Sequence, residues 1–200
     1  MLGHMFNRLA ARLIKSLYLI YYNTIKISVR NDQWTPRRLP EGQNCIYVFW
    51  HAKSFLMLPY GMNSKVVTLT LLDWKNILFG HICRQLHYET VPVTNSASAF
   101  IRLRSLVRRG YFIGLALDGP RGPAQSVKKG ALQLSKITQR PIVAVNICVK
   151  KSYRMKKRWD RYEIPLPFTQ MDAILSEPIY VNNENWGETE QKIRDFLKDH

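Results

Sequence analysis

Apolar residues between Leu2 and Val29 recur every three or four positions, and basic residues interrupt the apolar runs. The apolar positions are Leu2, Met5, Phe6, Leu9, Leu13, Leu17 and Ile20, and the basic positions are Arg8, Arg12, Lys15 and Lys26. This pattern predicts an amphipathic helix. Its longest uninterrupted stretch is less than half of the ~20 residues that span a bilayer. We therefore expect the helix either to lie in a membrane interface or to pack on its own domain.

From residue 46 onwards, short apolar runs alternate with segments of helical period. The predicted strands cover 46–50, 65–72, 90–93, 111–117, 141–149 and one or two more within 171–181. The predicted helices cover 52–60, 74–88, 97–109, 130–139 and a polar segment from residue 188. This alternation predicts an α/β fold with a central, mostly parallel sheet flanked by helices. The predicted units are an interface helix at 1–30 and an α/β domain at 31–200.

Polar side chains follow two of the predicted strands. His51 comes directly after the strand at 47–50, and Asp118 comes directly after the strand at 114–117. Because the active site of such a sheet collects at the carboxyl ends of the strands, we expect these two loops to form it.

The second loop reads Asp-Gly-Pro-Arg-Gly-Pro from Asp118 to Pro123. Two glycines and two prolines make this turn rigid, so it holds charged side chains at low entropic cost. Arg121 can pair with Asp118 and offer its guanidinium to a phosphate. Lys128 and Lys129 then lead into a helix whose first amides favour anions. The turn predicts a phosphate pocket, and the alternative is a structural turn braced by an Asp118–Arg121 salt bridge.

His51 lies between an apolar strand and an apolar helix. A neutral imidazole at this position can take a proton from an alcohol near pH 7, as the transfer of an acyl group to a hydroxyl requires. A single histidine is more often a structural residue. Its pairing with the Asp118 loop favours the catalytic interpretation.

The chain carries 30 Lys and Arg against 14 Asp and Glu, a formal charge of +16, which predicts an anionic partner. An anionic bilayer and a nucleic acid both fit this charge. The basic segment 150–161 also contains Tyr153 and Trp159, so it suits a lipid headgroup surface, a single-stranded nucleic acid or a solvated loop. No helix-turn-helix, zinc-finger or RNP pattern supports nucleic-acid binding, which remains the alternative function.

The three cysteines, Cys45, Cys83 and Cys148, are isolated and lack metal-ligand spacing. We therefore expect no disulfide framework, no metal site and a reducing cytoplasm as the compartment. Small buried hydrophobic residues are the favoured interpretation of all three.

Four segments resemble, in order and spacing, the blocks of the lysophospholipid and glycerolipid acyltransferase superfamily. They are His51 after a strand, the basic helix at 99–102, the turn at 118–123 and the segment at 140–145. A Trp-His pair, the turn, Trp159-Asp160-Arg161 and Glu177-Pro178-Ile179 are further similar to a bacterial branch of that superfamily whose function is unknown. The likeness runs from about Ile46 to Val181, and the turn is its most specific part.

The resemblance implies transfer of a fatty acyl group from acyl-CoA or acyl carrier protein to a hydroxyl of a lysophospholipid or glycolipid-type acceptor. It implies no cofactor besides the acyl donor. His51 would be the general base, Arg121 would bind the acceptor phosphate, and Asp118 would stand where most of the superfamily has Glu. The predicted substrate-binding residues are Arg121, Gly119, Lys128, Lys129 and Arg102. We expect a peripheral protein on the cytoplasmic face of the inner membrane, whose partners are a lipid acceptor and an anionic lipid surface rather than nucleic acid.

One position departs from the superfamily pattern. The usual first block has an Asp five residues after the histidine, where it fixes the histidine tautomer, and this chain has Leu56 there. Asp73, at the end of the next predicted strand, and Asp118 are the candidates to replace that carboxylate. The departure leaves open a catalytically silent, lipid-binding member of the same fold.

Overall fold

A computed structural model of the chain describes residues 2–58, 61–71, 80 and 83–198, with side chains from residue 13 onward. The predicted helix at 74–88 falls largely outside these described residues. The candidate Asp73 falls outside them as well.

The N-terminal segment forms a helix and then a strand. Helix α1 is Leu2–Asn23 and strand β1 is Lys26–Arg30, where polar and apolar residues alternate. β1 pairs in parallel with a strand near the C-terminus, so it belongs to the central sheet. The helix predicted as far as Val29 therefore ends earlier, and the α/β unit begins at Lys26 rather than at residue 31.

The central sheet in the described residues has seven strands in the order β1-β9-β6-β2-β5-β3-β4. The strands after β1 are β2 Ile46–Phe49, β3 Val66–Thr70, β4 Glu89–Pro92, β5 Phe112–Ala116, β6 Ile142–Val149 and β9 Gln170–Leu175. β6, β2, β5, β3 and β4 are parallel, and β9 runs antiparallel to β6. The predicted α/β fold with a mostly parallel sheet flanked by helices is confirmed. The carboxyl ends of β2 and β5 are adjacent, as the two strand-end loops require.

Among the residues that the structure describes, three helices cover one face of the sheet. They are α3 Ser96–Arg108, α4 Lys129–Thr138 and α5 Trp186–Phe196. Asn95 caps α3 because its side chain accepts a hydrogen bond from the Ser98 amide at 2.8 Å. Buried residues of these helices, such as Leu103 and Leu132, pack on strand residues that face the same side. Each such leucine contributes about 1.5–3 kcal/mol through the burial of its side chain.

The opposite face carries smaller elements. Besides the C-terminal half of α1, it holds a 3-10 turn at His51–Lys53 followed by the one-turn helix α2, Ser54–Met57. Tyr18 of α1 packs edge-on against Phe55, with ring centroids 5.2 Å apart. Near the turn lies a two-stranded antiparallel hairpin of β7 Ser152–Arg154 and β8 Glu163–Pro165. We call residues 150–168, which contain this hairpin, the arm.

The arm contains the whole basic segment 150–161, for which the sequence leaves open a lipid headgroup surface, a single-stranded nucleic-acid surface or a solvated loop. Tyr153 pairs with Ile164, and the loop between the two strands folds back onto the domain. Asp160 and Glu163 of the arm are buried, at 4% and 2% exposure. The arm is therefore an ordered part of the fold, and its acidic side chains point inwards.

Candidate functional site

His51 is positioned by its neighbours on both sides of the sheet. Trp50, the preceding residue, is buried on the helix-covered face and donates from Nε1 to the carbonyl oxygen of Leu197 at 2.8 Å. The backbone amide of His51 donates to Oδ1 of Asp118 at 2.8 Å. Because Trp50 is anchored on one face, the His51 ring extends to the other, where its side chain is 24% exposed.

Asp118 joins the two strand-end loops through its carboxylate. Its oxygens accept hydrogen bonds from the amides of His51 and Gln125, at 2.8 and 3.2 Å. Burial raises the pKa of Asp118 above its usual value, and these amide hydrogen bonds partly offset that rise. The side chain is 1% exposed, while Arg121 is exposed, so the Asp118–Arg121 pair considered from the sequence does not form.

The imidazole of His51 is paired with a carboxylate that the sequence does not suggest. Nδ1 of His51 lies 2.7 Å from Oδ2 of Asp160, which is 109 residues further along the chain. Of the two sequence-based candidates, Asp118 contacts the His51 backbone rather than the ring, and Asp73 lies outside the described residues. The position of Leu56 is filled by a side chain that is 1% exposed and packs in the core.

Asp160 is held in its ionised form by its surroundings. Its carboxylate accepts two hydrogen bonds from the Arg158 guanidinium, both at 2.9 Å, and one from the Tyr162 amide at 3.2 Å. Burial acts to raise the pKa of Asp160, but the hydrogen bonds from Arg158 and His51 outweigh burial and lower it below its usual value. An ionised carboxylate at Nδ1 favours the tautomer in which Nδ1 carries the proton, which leaves Nε2 as a proton acceptor.

Trp159 fits the arm onto the Asp-Gly-Pro-Arg-Gly-Pro turn. A Cβ atom on Gly122 would lie 2.5 Å from Cε3 of the Trp159 ring, and Gly122 has a φ of +67°. Both the left-handed backbone and the contact therefore require glycine. The Trp159 ring is also 5.3 Å from the His51 ring, centroid to centroid. The turn, the histidine and the arm thus pack as one unit.

A buried ion pair fixes the base of the arm. Nζ of Lys53, two residues after His51, lies 2.5 Å from Oε2 of Glu163, and the two side chains are 7% and 2% exposed. Ser152 of the neighbouring strand donates to the other carboxylate oxygen of Glu163. Burial acts to raise the pKa of Glu163, but the hydrogen bonds from Lys53 and Ser152 outweigh it and lower the pKa. This pair fixes the arm to the segment that carries His51.

A cavity of about 660 Å³ opens beside His51. Its walls are mainly apolar and include Phe49, Leu69, Leu71, Val93, Leu115, Val145 and Leu175. His51, Arg158 and Tyr162 supply polar atoms to the lining. Binding cavities for small ligands span about 300–1,000 Å³ and are mostly apolar with a few polar groups, so this cavity has the size and composition of such a site.

The predicted substrate-binding residues differ in where they lie. Gly119 lines the cavity, and Arg121 follows it on the same turn, exposed and without a recorded hydrogen bond or ion pair to any described residue. The exposed Lys128 and Lys129 stand at the start of α4, where the Lys128 amide donates to the Leu117 carbonyl at 2.9 Å. These four residues belong to the segment that begins at Asp118.

Arg102 is not brought to the site. Its guanidinium pairs with Glu89 at 3.6 Å, and both side chains are about half exposed. Glu89 is the first residue of β4, so this pair lies towards the amino ends of the parallel strands, whereas His51 follows the carboxyl end of β2. The structure therefore places Arg102 on the surface of α3, away from His51.

The cysteines, the potential metal ligands and the helices of the described part of the chain have the following properties. Burial raises the pKa of Cys45 and of Cys83 to about 12, so neither thiol is ready to ionise. Among the residues with described placement, no three His, Cys, Asp or Glu side chains are grouped to hold a metal ion. None of the described helices, α1 included, combines the length and apolar character that crossing a bilayer demands.

Sequence reasoning missed Asp160, Arg158 and Trp159 as members of the site. Trp159 and Asp160 belong to the Trp-Asp-Arg segment of the family resemblance, but the strongly basic composition around them suggested a surface. The sequence does contain one signal, the single acidic residue Asp160 within a basic segment. Such a residue needs a partner if it is buried, so it is a candidate for a contact inside the fold.

Three comparisons with known proteins bear on this chain. No protein-family model matches it. It is 26% identical over 171 residues to "Uncharacterized protein RP090" of Rickettsia prowazekii (strain Madrid E). The aligned region covers 82% of this chain and 76% of that protein. It superposes on the crystal structure of the 1-acyl-sn-glycerophosphate (LPA) acyltransferase PlsC from Thermotoga maritima with a TM-score of 0.63 and 16% identity, over 98% of this chain and 80% of that one.

The structural match shows that the chain has the fold of a PlsC-type acyltransferase. At 16% identity this match shows the fold alone, and the superfamily resemblance of the four sequence segments stays a prediction. The bacterial branch and the roles of individual residues stay predictions.

Proposed function

We propose that this protein is an acyltransferase that moves a fatty acyl group from a thioester donor to a hydroxyl group of a lipid acceptor. The observation that carries the proposal is the His51–Asp160 contact of 2.7 Å at the wall of a mainly apolar cavity. The cavity suits an acyl chain, and the histidine suits proton transfer at its end. The PlsC-like fold supports the same class of reaction.

In the proposed reaction, Nε2 of His51 takes the proton of the acceptor hydroxyl. The oxygen then attacks the thioester carbonyl carbon, a C–O bond forms, and the C–S bond breaks. The leaving thiolate takes the proton back from Nε2, so the enzyme returns to its starting state. Asp160 accepts the Nδ1 hydrogen bond throughout, which holds the ring in one tautomer and stabilises the imidazolium.

The acceptor's charged group is proposed to bind at the Asp118 segment. Arg121 is exposed on a turn whose preceding residues, Gly119 and Pro120, line the cavity. A guanidinium there binds phosphate in a bidentate fashion, and Lys128 and Lys129 add positive charge at the start of α4. Asp118 acts as a positioning residue, because its carboxylate holds the His51 backbone.

The Asp160 contact also bears on the alternative of a catalytically silent member. That alternative rests on Leu56, which stands where the superfamily has its carboxylate. Here a carboxylate reaches the same histidine from the arm instead, so the absence of Asp at position 56 does not argue against turnover.

The proposed location is peripheral, on the cytoplasmic face of the inner membrane.

The test is an acyl-transfer assay with the purified chain. Palmitoyl-CoA and a palmitoyl carrier protein serve as donors, lysophosphatidic acid and a lysoglycolipid serve as acceptors, and mass spectrometry identifies the product. We expect His51→Ala to reduce turnover by about 10²–10⁴-fold, the usual contribution of a general base. His87→Asn is the matched control, since His87 is exposed and lies outside the cavity lining. Full activity of His51→Ala, or a wild-type chain that acylates neither acceptor, would contradict the proposal.

A further inference from the structure

The arm and α1 expose large apolar side chains on the same side of the molecule. In the arm, Tyr153, Leu166 and Phe168 are 60%, 43% and 86% exposed. In α1, the residues Leu13, Leu17 and Ile20 are 61%, 57% and 65% exposed. Single exposed hydrophobic residues are ordinary, but several on adjoining elements mark an interaction surface.

Three hydrogen bonds join the arm and the residue after it to the end of α1, the residue after α1 and the start of β1. The Tyr21 hydroxyl donates to the Pro165 carbonyl, and the Phe168 amide donates to Oγ1 of Thr24 at 3.3 Å. The Lys26 amide donates to the carbonyl of Thr169, the residue after the arm, at 2.9 Å. The exposed residues of α1 follow one another at four- and three-residue spacing, so they lie on one face of that helix. The two apolar groups are therefore neighbours.

The ring of Phe168 is poorly covered by the described residues. Its φ of +60° is in the left-handed region, which is unfavourable for a residue with a side chain, and its ring is almost fully exposed. A fold that places a phenylalanine in this way loses stability from the backbone and gains none from burial. Burial of the ring against a partner outside the chain would compensate for this loss.

The charge of the arm is strongly asymmetric. It contains seven basic residues and two acidic ones. Both acidic side chains are buried: Asp160 pairs with His51 and Arg158, and Glu163 pairs with Lys53 and Arg154. Five further basic residues of the arm are exposed, namely Lys150, Lys151, Lys156, Lys157 and Arg161. The outer surface of the arm is therefore cationic, with apolar side chains among the charges.

We propose that the arm and the exposed face of α1 form a docking surface for an anionic lipid bilayer. Basic residues attract the headgroups, and apolar and aromatic side chains enter the interface beneath them. A single-stranded nucleic acid fits the charge but not the aliphatic group, because Leu13, Leu17 and Ile20 have no π-face on which a base could stack. This docking does not depend on acyl transfer, so it can be tested even if the proposed reaction fails.

Docking in this way would connect the bilayer to the cavity. The arm has two sides, since Met155 and Arg158 line the cavity while Tyr153 and Phe168 face outwards. A lipid that enters from the bilayer would thus meet the same segment that carries Asp160. The surface places the cavity next to the phase in which the lipid acceptor of the proposed reaction would reside.

The test is flotation of the purified chain with vesicles of phosphatidylcholine, with and without 30% phosphatidylglycerol. Lys156→Glu/Lys157→Glu is expected to weaken binding to anionic vesicles at least about 30-fold, at about 1 kcal/mol per basic residue and about 1.4 kcal/mol per tenfold. Phe168→Ser is expected to weaken binding about 10-fold or more, since an interfacial Phe contributes about 1.5–3 kcal/mol.

Matched controls lie on α3, which covers the other face of the sheet. Arg104→Glu/Arg108→Glu reverses two exposed charges, and Ile101→Ser removes a side chain that is 69% exposed. Circular dichroism confirms the fold of each variant. The proposal is overturned if the arm variants bind as the wild type does, if the α3 variants lose as much, or if neutral vesicles bind equally well. Binding of single-stranded RNA but not of anionic vesicles would also overturn it, in favour of a nucleic-acid surface.

Discussion

The two faces of the central sheet are covered in different ways. On one face, α3, α4 and α5 bury residues such as Leu103, Leu132 and Ile193 in a continuous apolar core. On the other face, short elements and the arm enclose a cavity of about 660 Å³. Buried ionised side chains, among them Asp160 and Glu163, occur beside that cavity.

This difference means that the helix-covered face mainly stabilises the fold, while the cavity face carries the groups proposed for the reaction. A buried charge is unfavourable unless it is paired, and a cavity forgoes packing contacts, so the second face is less stable than it would be with a filled core. The first face compensates with well-packed helices. We therefore expect substitutions on the helix-covered face to lower stability alone, and substitutions on the cavity face to lower turnover as well.

The largest expected effect is on turnover, from Asp160→Asn. The amide keeps the size of the side chain but has no negative charge, so it neither selects the Nδ1–H tautomer nor stabilises the imidazolium. We expect kcat to decrease by about 10²–10⁴-fold. The assay is acyl transfer at saturating substrate. Asp195→Asn, on the exposed side of α5, is the control. Equal activity of the two variants would contradict the proposed role of Asp160.

Next in size is a pair of leucine truncations, one on each face. Leu103→Ala and Leu56→Ala remove side chains that are 4% and 1% exposed, and each is expected to cost about 2–5 kcal/mol in the free energy of unfolding. Leu103→Ala should leave kcat of the folded protein unchanged, because Leu103 is on the helix-covered face. Leu56→Ala should also lower kcat, because α2 directly follows the His51 turn.

Denaturant titration and kinetics on the same samples separate the two quantities. If Leu103→Ala lowered kcat as much as Leu56→Ala, the two faces would not divide stability from chemistry in the way described.

A smaller effect is expected from Gly122→Ala. The new Cβ would meet the Trp159 ring and the backbone has a positive φ, so the substitution should destabilise by about 1–3 kcal/mol. Displacement of Trp159 should also move Asp160 from His51 and lower kcat. Gly110→Ala serves as the control, because Gly110 has a positive φ as well but no atom within 4 Å of the added carbon. A kcat loss of the same size in Gly110→Ala would contradict the contact's role.

The smallest effect is expected from Arg102→Ala. Its ion pair with Glu89 is exposed, and such pairs contribute about 0–1 kcal/mol to stability. Turnover and the KM for the lipid acceptor should stay within error of the wild type, whereas Arg121→Ala should raise that KM. An increase in KM for Arg102→Ala would restore its predicted substrate-binding role.

The sequence predicts the sheet and the two strand-end loops well because their patterns are local. Strand β2 and His51, for example, are adjacent in the chain, so an apolar run followed by a polar residue is enough. Strand β1 was missed because its short alternation follows directly on a helical pattern. What identifies β1 as a strand is its pairing with β9, and β9 lies far away along the chain, so no local pattern indicates it.

The carboxylate partner of His51 could not be located from the sequence for a different reason. Asp160 meets the imidazole only because the Lys53–Glu163 pair and the Trp159–Gly122 contact fold the arm back over the site. None of these contacts has a local signature. The sequence pattern indicates only strand-end carboxylates as replacements, and of these Asp118 holds the His51 backbone instead of the ring.

The most direct test of this account is a double-mutant cycle of His51→Ala and Asp160→Asn in the acyl-transfer assay. If Asp160 acts through the imidazole, its charge has nothing to orient once the ring is removed. We therefore predict that the double variant retains the same residual activity as His51→Ala alone. Losses that multiply in the double variant would show that the two residues act independently, and would contradict the His51–Asp160 dyad.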